Sequence, residues 1–236
     1  MTAIFKREFL SYFISPLGYV FLAVFCGFSG LFLWMNCLAV GQADMSGVFV
    51  LLFFVMVVLI PVLTMRTMAE DKKQKTDQLT LTSPVSLFGL VVGKFLAAFS
   101  VFMLASAALP IYAIFLSSVV KSTFGWISFW GNYTGIVLMG AVFIAAGIFI
   151  SNLTENQMVA AVGAIGANIV LCLFDVLVNY IPLDSVQNVV AKLSVFSRFT
   201  DFTMGIFSAS NVVFFISLVA VFLFLTMRFI ERRRWS

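Results

Sequence analysis

The 236-residue sequence predicts an all-α, polytopic membrane protein with six transmembrane helices, and three observations carry that reading. The chain is 62% hydrophobic and only 10% charged, where a soluble domain carries about 25% charged residues. Its apolar runs, VFVLLFFVMVVLIPVL among them, do not alternate as the strands of a membrane barrel do, so the spans are helices. The 29 phenylalanines add bulk that hydrocarbon solvates and no polar group to satisfy. Finally, Lys and Arg lie unevenly about the spans. With the N-terminus inside, Lys6, Arg7, Arg66, Lys72, Lys73, Lys75, Lys94, Arg228, Arg232, Arg233 and Arg234 are cytoplasmic, and only Lys121, Lys192 and Arg198 are outside. That asymmetry places both termini in the cytoplasm.

Residues 1 to 15, MTAIFKREFLSYFIS, are too polar to span. Phe5, Phe9 and Tyr12 or Phe13 recur at helical spacing around Lys6, Arg7 and Glu8, which predicts a short amphipathic helix in the interface. Ser15-Pro16 ends it, because the residue before proline is driven out of the helical region. The apolar run after Pro16 is too long for the core of a removable signal peptide.

Six apolar segments follow, about Leu17–Ala39, Ser46–Met65, Leu87–Val119, Tyr133–Ile150, Gln157–Val178 and Val212–Ile230. Each is near or above the roughly 20 residues that cross a bilayer. The third is long. Lys94, near its start, is expected to snorkel to the interface, with hydrocarbon beginning near Phe95; Pro110 is expected to kink it. In the fifth, Ala160, Ala161, Gly163, Ala164, Gly166 and Ala167 offer a face for close helix approach, in this chain or in a second subunit. Asn168, near mid-depth there, suits an interhelical hydrogen bond better than a transport path.

The connections differ in character. Those around Gly41 to Asp44 and Lys121 to Asn132 are short and outside, with Trp126 and Trp130 at headgroup level in the second. Ser151 to Asn156 is a tight inner turn. The outer segment 179–211 carries apolar residues at helical spacing, from Val186 through Phe199 and Phe202 to Ile206. It is too short and too polar to span twice, which predicts paired short re-entrant or lidding helices. The stretch Met65 to Pro84 is the one sizeable charge-dense run between spans. Its mixed charge, with Leu79 and Leu81 as apolar anchors, suits protein docking better than anionic lipid.

Several chemistries are excluded. There is no histidine, hence no His base, His metal ligand or Ser–His hydrolytic pair. Cys26, Cys37 and Cys172 show no metal spacing and no disulfide framework. Gly89-Leu-Val-Val-Gly93-Lys94-Phe95 falls short of a phosphate-binding loop, with three intervening residues instead of four and no Ser or Thr after the lysine. Asp175, late in the fifth span, is the main intramembrane ionisable residue, with Lys192 or Arg198 as its expected partner. Arg198 and Asp201, three apart, are expected to pair on one helix face. These three are the candidate outer-gate residues.

Four motifs carry a resemblance over essentially the whole chain. They are Phe5-Lys6-Arg7-Glu8 with Tyr12-Phe13-x-Ser15-Pro16-x-Gly18-Tyr19; Pro61-x-Leu63-Thr64-Met65-Arg66-x-x-Ala69-Glu70-Asp71-Lys72 leading to Thr76-Asp77-Gln78-Leu79 and Leu81 to Ser86; Ser151-x-Leu153-Thr154-Glu155-Asn156-Gln157; and Phe229 to Trp235. The chain resembles permease subunits of the ABC type-2 exporter family, in the gliding-motility-associated branch. Lys75 stands where that pattern leads one to expect glycine. The resemblance implies a single permease domain over 1–236, with an interfacial helix at 1–15, a cytoplasmic coupling segment at 66–84 and paired outer helices at 179–211. It implies a separate ATP-binding cassette subunit that carries ATP and Mg, and a second permease, identical or related, in the bacterial inner membrane. This chain itself would bind no cofactor, metal or nucleic acid. Arg66, Glu70, Asp71, Lys72, Lys73, Thr76, Asp77, Asn152 and Glu155 would then couple to the ATPase. Two other readings stay open: a structural membrane subunit of a motility or secretion machine, and an ion-coupled secondary carrier.

Overall fold

The computed structural model describes residues 2–74, 86–120, 124–178, 194–204 and 208–234, without the side chains of 174–178 and 233–234. The described residues form helices and their connections. These are α1 (Thr2–Ile14), α2 (Pro16–Leu33, continued by a π-helical turn Trp34–Leu38), α3 (Ser46–Thr64), α4 (Arg66–Lys73), α5 (Leu87–Ser106), α6 (Ala108–Val119), α7 (Trp126–Leu153), α8 (Gln157–Val178), α9 (Val195–Thr203) and α10 (Ala209–Arg234). Among the described residues, five helices are long and apolar enough to cross a membrane: Pro16–Leu38, Ser46–Lys73, Leu87–Val119, Trp126–Leu153 and Ala209–Arg232.

Local chemistry sets the boundaries. Ser15 breaks α1 from α2 in extended conformation, and Pro16 opens α2, where its missing N–H costs nothing. Gly18 permits the turn, since a Cβ there would stand 2.6 Å from the Tyr12 carbonyl oxygen. The third span breaks at Ala107, between α5 and α6. Pro110 cannot donate to the carbonyl of Ser106, so the ladder fails there, as the sequence predicts. The π turn is registered by Ala39 N donating to Trp34 O at 2.9 Å, and the turn after the span passes through Gly41, in the left-handed region at φ 72°, where glycine carries no Cβ penalty.

The fourth span is the centre of the bundle. α7 packs against α3, α5, α8, α9 and α10, and Val142, Phe143, Ile144, Ala145 and Ala146 are fully buried in succession. It begins at Trp126 rather than at the expected Tyr133. Trp126 and Trp130 therefore ride on the first turns of the helix, not in a loop, and both are exposed there. Gly131 and Gly135 receive Phe202 of α9, a use of those glycines that spacing alone does not reveal. α9 buries Phe199 and Phe202 and stacks Phe199 on Phe53 with centroids 4.9 Å apart. The rest of the expected outer helical segment, 179–193 and 205–207, lies outside the described residues, as does Lys121.

The small face of α8 turns inward. Ala160, Ala161, Ala164 and Asn168 are buried, and α8 packs on α3 and α7 of the same chain. The outward face carries Met158, Val159, Val162, Ile169 and Val170 instead. Asn168 makes the expected interhelical bond, its Nδ2 donating to Val57 O at 3.4 Å. That carbonyl has a reason to need it. Pro61 lies four residues on within α3 and has no N–H to give. We predict that Asn168→Leu lowers stability by about 1 kcal/mol, typical of interhelical bonds in membranes. The loss should shrink in a Pro61→Ala background, where the backbone N–H returns. Thermal unfolding of the four proteins in detergent checks this, and equal losses in both backgrounds would refute the pairing.

Candidate functional site

The charged residues of α1, α4 and α5 gather at one end of the bundle, with the polar end of α7 beside them. α4 follows α3 after one turn residue, Met65. The first N–H groups of a helix lack intrahelical acceptors, and at this break the chain supplies one from afar. Ser151, in the last turn of α7, accepts from Met68 N (3.2 Å) and Ala69 N (3.1 Å) and donates to Met65 O (3.0 Å). One hydroxyl thus uses its donor and both lone pairs, and caps a helix more than eighty residues earlier in the chain.

Lys94 is the second fastening. It does not snorkel outward as expected; its side chain is 1% exposed. Its Nζ donates to Thr67 O (2.6 Å), Asp71 Oδ2 (2.6 Å) and Glu8 Oε1 (3.2 Å). Three donors meet three acceptors, and two carboxylates balance the desolvated ammonium. Snorkelling loses here because the lysine faces protein, and α1 and α4 bring acceptors to it. Glu8 also pairs with Arg7 at 2.7 Å, and that hydrogen bond raises the Arg7 pKa. Tyr12, buried on α1, donates to Leu63 O at 3.4 Å; burial raises its pKa.

The remaining nominated residues divide by exposure. Arg66 and Glu70 form a two-pronged pair, one contact being Nη2 to Oε1 at 2.9 Å. Gln74 Nε2 also donates to Glu70 at 3.1 Å. Lys72 donates to Asn152 O and lies 5.5 Å from the centroid of the Phe229 ring on α10. Asn152 is buried, and its Nδ2 donates to Thr226 O of α10 at 3.4 Å. Ser151 and Asn152 therefore belong to the end of α7, and the inner turn is only Thr154 to Asn156. Lys73 and Glu155 are exposed. Thr76, Asp77 and Lys75 lie outside the described residues.

The arrangement fastens α4 to the helices around it. Hydrogen bonds from Ser151, Lys72, Lys94 and Asn152 tie α4 to α1, α5, α7 and, through Asn152, α10. Among the described residues, no three of His, Cys, Asp and Glu come together as metal ligands. A cavity of about 330 Å³ opens between α1 and α4, lined by Arg7, Glu8, Arg66, Glu70 and Asp71.

At the opposite end, Arg198 donates to Asn211 Oδ1 (2.7 Å), and Asn211 Nδ2 donates to Asp201 Oδ2 (3.0 Å). Arg198 also covers the Phe214 ring at 4.3 Å. Asn211, buried at the start of α10, joins the two charges; sequence spacing placed them on one face but gave no sign of the amide. The side chain of Asp175 lies outside the described residues. A cavity of about 780 Å³ beside this end is lined by Asp44, Ser46, Phe129, Asn132 and Thr203, with others.

Sequence reasoning missed Ser151 as a cap, Lys94 as a buried hub and Asn211 as a bridge. The available signal was weak: a hydroxyl in the last turn before a polar connection, and a lysine two turns inside an apolar helix.

Comparison with curated proteins gives no match. A family model described as ABC-2 family transporter protein matches residues 28–235. The match covers most of the chain and every described helix from α3 onward, while α1 lies before it. With its apolar helices and this match over most of its length, the chain belongs to the ABC-2 transporter family as a multi-pass membrane permease component of an ABC transporter.

Proposed function

We propose that this chain is the permease subunit of an ATP-driven exporter, working with a separate ATP-binding cassette subunit and a second permease in a bacterial inner membrane. The carrying observation is α4. It is a charged helix that continues the second span, and hydrogen bonds fasten it to α5 and α7 directly and to α1 through Lys94. A helix so tied can hand a movement at its exposed side to much of the bundle. Lys73, Glu155 and the following Thr76 and Asp77 are the residues we assign to the ATPase contact. Arg66, Glu70, Asp71, Lys72 and Asn152 hold α4 in place behind them. α8 is the remaining span, at 22 residues long enough to cross, which makes six with both termini cytoplasmic. The motif pattern favours the gliding-motility-associated branch. In this reading ATP and Mg act on the partner, the spans rearrange, and cargo leaves past Asp175, Arg198 and Asp201.

Tagged permease, purified from native membranes in mild detergent, should bring down a soluble protein with a complete phosphate-binding loop and ATPase activity. Charge reversal at Lys73 and Asp77 together should lose most of that recovery while the permease still extracts as a monodisperse species. Absence of any ATPase, even with crosslinking at Asp77, would overturn the reading.

A further inference from the structure

We propose that Lys94 is a positioning residue that locks α1, α4 and the third span into one moving unit. α1 packs on α5, with Phe5 and Phe9 beside Phe99 and Met103, and Tyr12 donates to Leu63 O of α3. Lys94 adds the charged tie that joins α1 and α4 to α5. Its ammonium is rooted on α5, its acceptors are Glu8 on α1 and Asp71 with the Thr67 carbonyl on α4, and the group is buried. Along the cluster the charges alternate, Arg7, Glu8, Lys94, Asp71. Removing one carboxylate leaves the ammonium short of a partner away from bulk water, so no helix can leave alone without stranding a buried charge. The cavity beside Arg7, Glu8 and Asp71 leaves room for these side chains to adjust without breaking the pairs. α1 precedes the family match at residue 28, so its attachment is a property read from this chain's own contacts. The proposal rests on the exporter reading only for what pulls on α4; the lock itself does not depend on it.

The test is pulsed dipolar distance measurement on the full-length protein in lipid nanodiscs, with Cys26, Cys37 and Cys172 replaced by serine. Spin labels go at Lys6, Lys73 and Phe88, exposed positions on α1, α4 and the first turn of α5, and are measured in pairs. Each pair should give one narrow distance distribution. Lys94→Met should widen all three. Glu8→Gln should widen the two pairs containing Lys6 and leave Lys73–Phe88 narrow. Asp71→Asn should widen the two pairs containing Lys73 and leave Lys6–Phe88 narrow. This selectivity is what a general loss of packing would not produce. Narrow distributions throughout for Lys94→Met, or equal widening of all pairs by Glu8→Gln and Asp71→Asn, would overturn the lock. If Lys94→Met does not reconstitute, the two carboxylate variants decide alone. No ATPase is needed for any of these measurements, so their failure is distinct from failure to recover one.

Discussion

Replacing Ser151 by alanine is expected to release the start of α4 from the end of α7 while leaving the spans folded. The hydroxyl accepts from two backbone N–H groups, of Met68 and Ala69, and both residues are buried. Alanine leaves both donors without that acceptor, at about 1–3 kcal/mol for each buried group left unsatisfied. It also removes the donor to Met65 O. Pro61 and the turn at Met65 already weaken the ladder here, so the loss should appear as local opening. A local penalty of about 2 kcal/mol corresponds to an opening population larger by on the order of 30-fold. Hydrogen exchange followed by mass spectrometry should show that acceleration in a peptide over 65–74 and little change in α10. Unchanged protection at 65–74 would mean that α4 is held by Lys72 and Lys94 alone. In the exporter reading, the same variant binds its ATPase but transmits poorly, because the contact side of α4 is intact and its anchorage is not.

Five of the six expected spans were legible because hydropathy reports the solvent a segment prefers, and lipid leaves a strong mark. The breaks at Ser15-Pro16 and near Pro110 were legible because proline acts on its own backbone. The Asn168 bond was legible as a type, since an amide at mid-depth needs a partner, though the link through Pro61 to Val57 was not. Depth was the weakest reading. Lys94 looked like a residue near an interface because sequence shows its distance from the helix start and not the helices that cover it. Trp126 and Trp130 looked like a loop because aromatic residues suit the headgroup region whether or not they are helical. The centrality of the fourth span, the cap by Ser151 and the bridge by Asn211 all depend on partners brought by tertiary packing. Local periodicity carries no information about them. Of the residues expected to couple to an ATPase, Thr76 and Asp77 lie outside the described residues, and most of the others are engaged within the chain.

Gly147→Leu is expected to be among the most damaging single substitutions in the bundle. A Cβ at Gly147 would overlap Thr64 Oγ1 and stand 3.0 Å from Thr64 Cβ. Thr64 cannot easily give way. It is β-branched and stiff at χ1, fully buried, and its hydroxyl reaches Ile60 O at 3.2 Å and Pro61 O at 3.4 Å. α3 and α7 must therefore part where α3 leads into α4. Overpacking of this kind costs about 1–3 kcal/mol for added methylenes, and more where neighbours are fixed; leucine belongs at the upper end, and Gly147→Ala within the range. Gly140 offers a comparison, since a Cβ there would overlap the ring of Phe102. Phe102→Leu removes the ring edge, so Gly140→Ala should cost less in that background, whereas Thr64→Ser should rescue Gly147→Ala poorly because the offending oxygen remains. Gly27 and Gly166 have nothing within 4 Å of an added Cβ. Alanine there should be neutral or slightly stabilising, as helix propensity alone dictates. Thermal unfolding of these variants in one detergent separates the causes. A loss at Gly147 with none at Gly27 and Gly166 locates the constraint in the α3–α7 contact, and similar losses at all of them would show that this contact is not what makes glycine necessary.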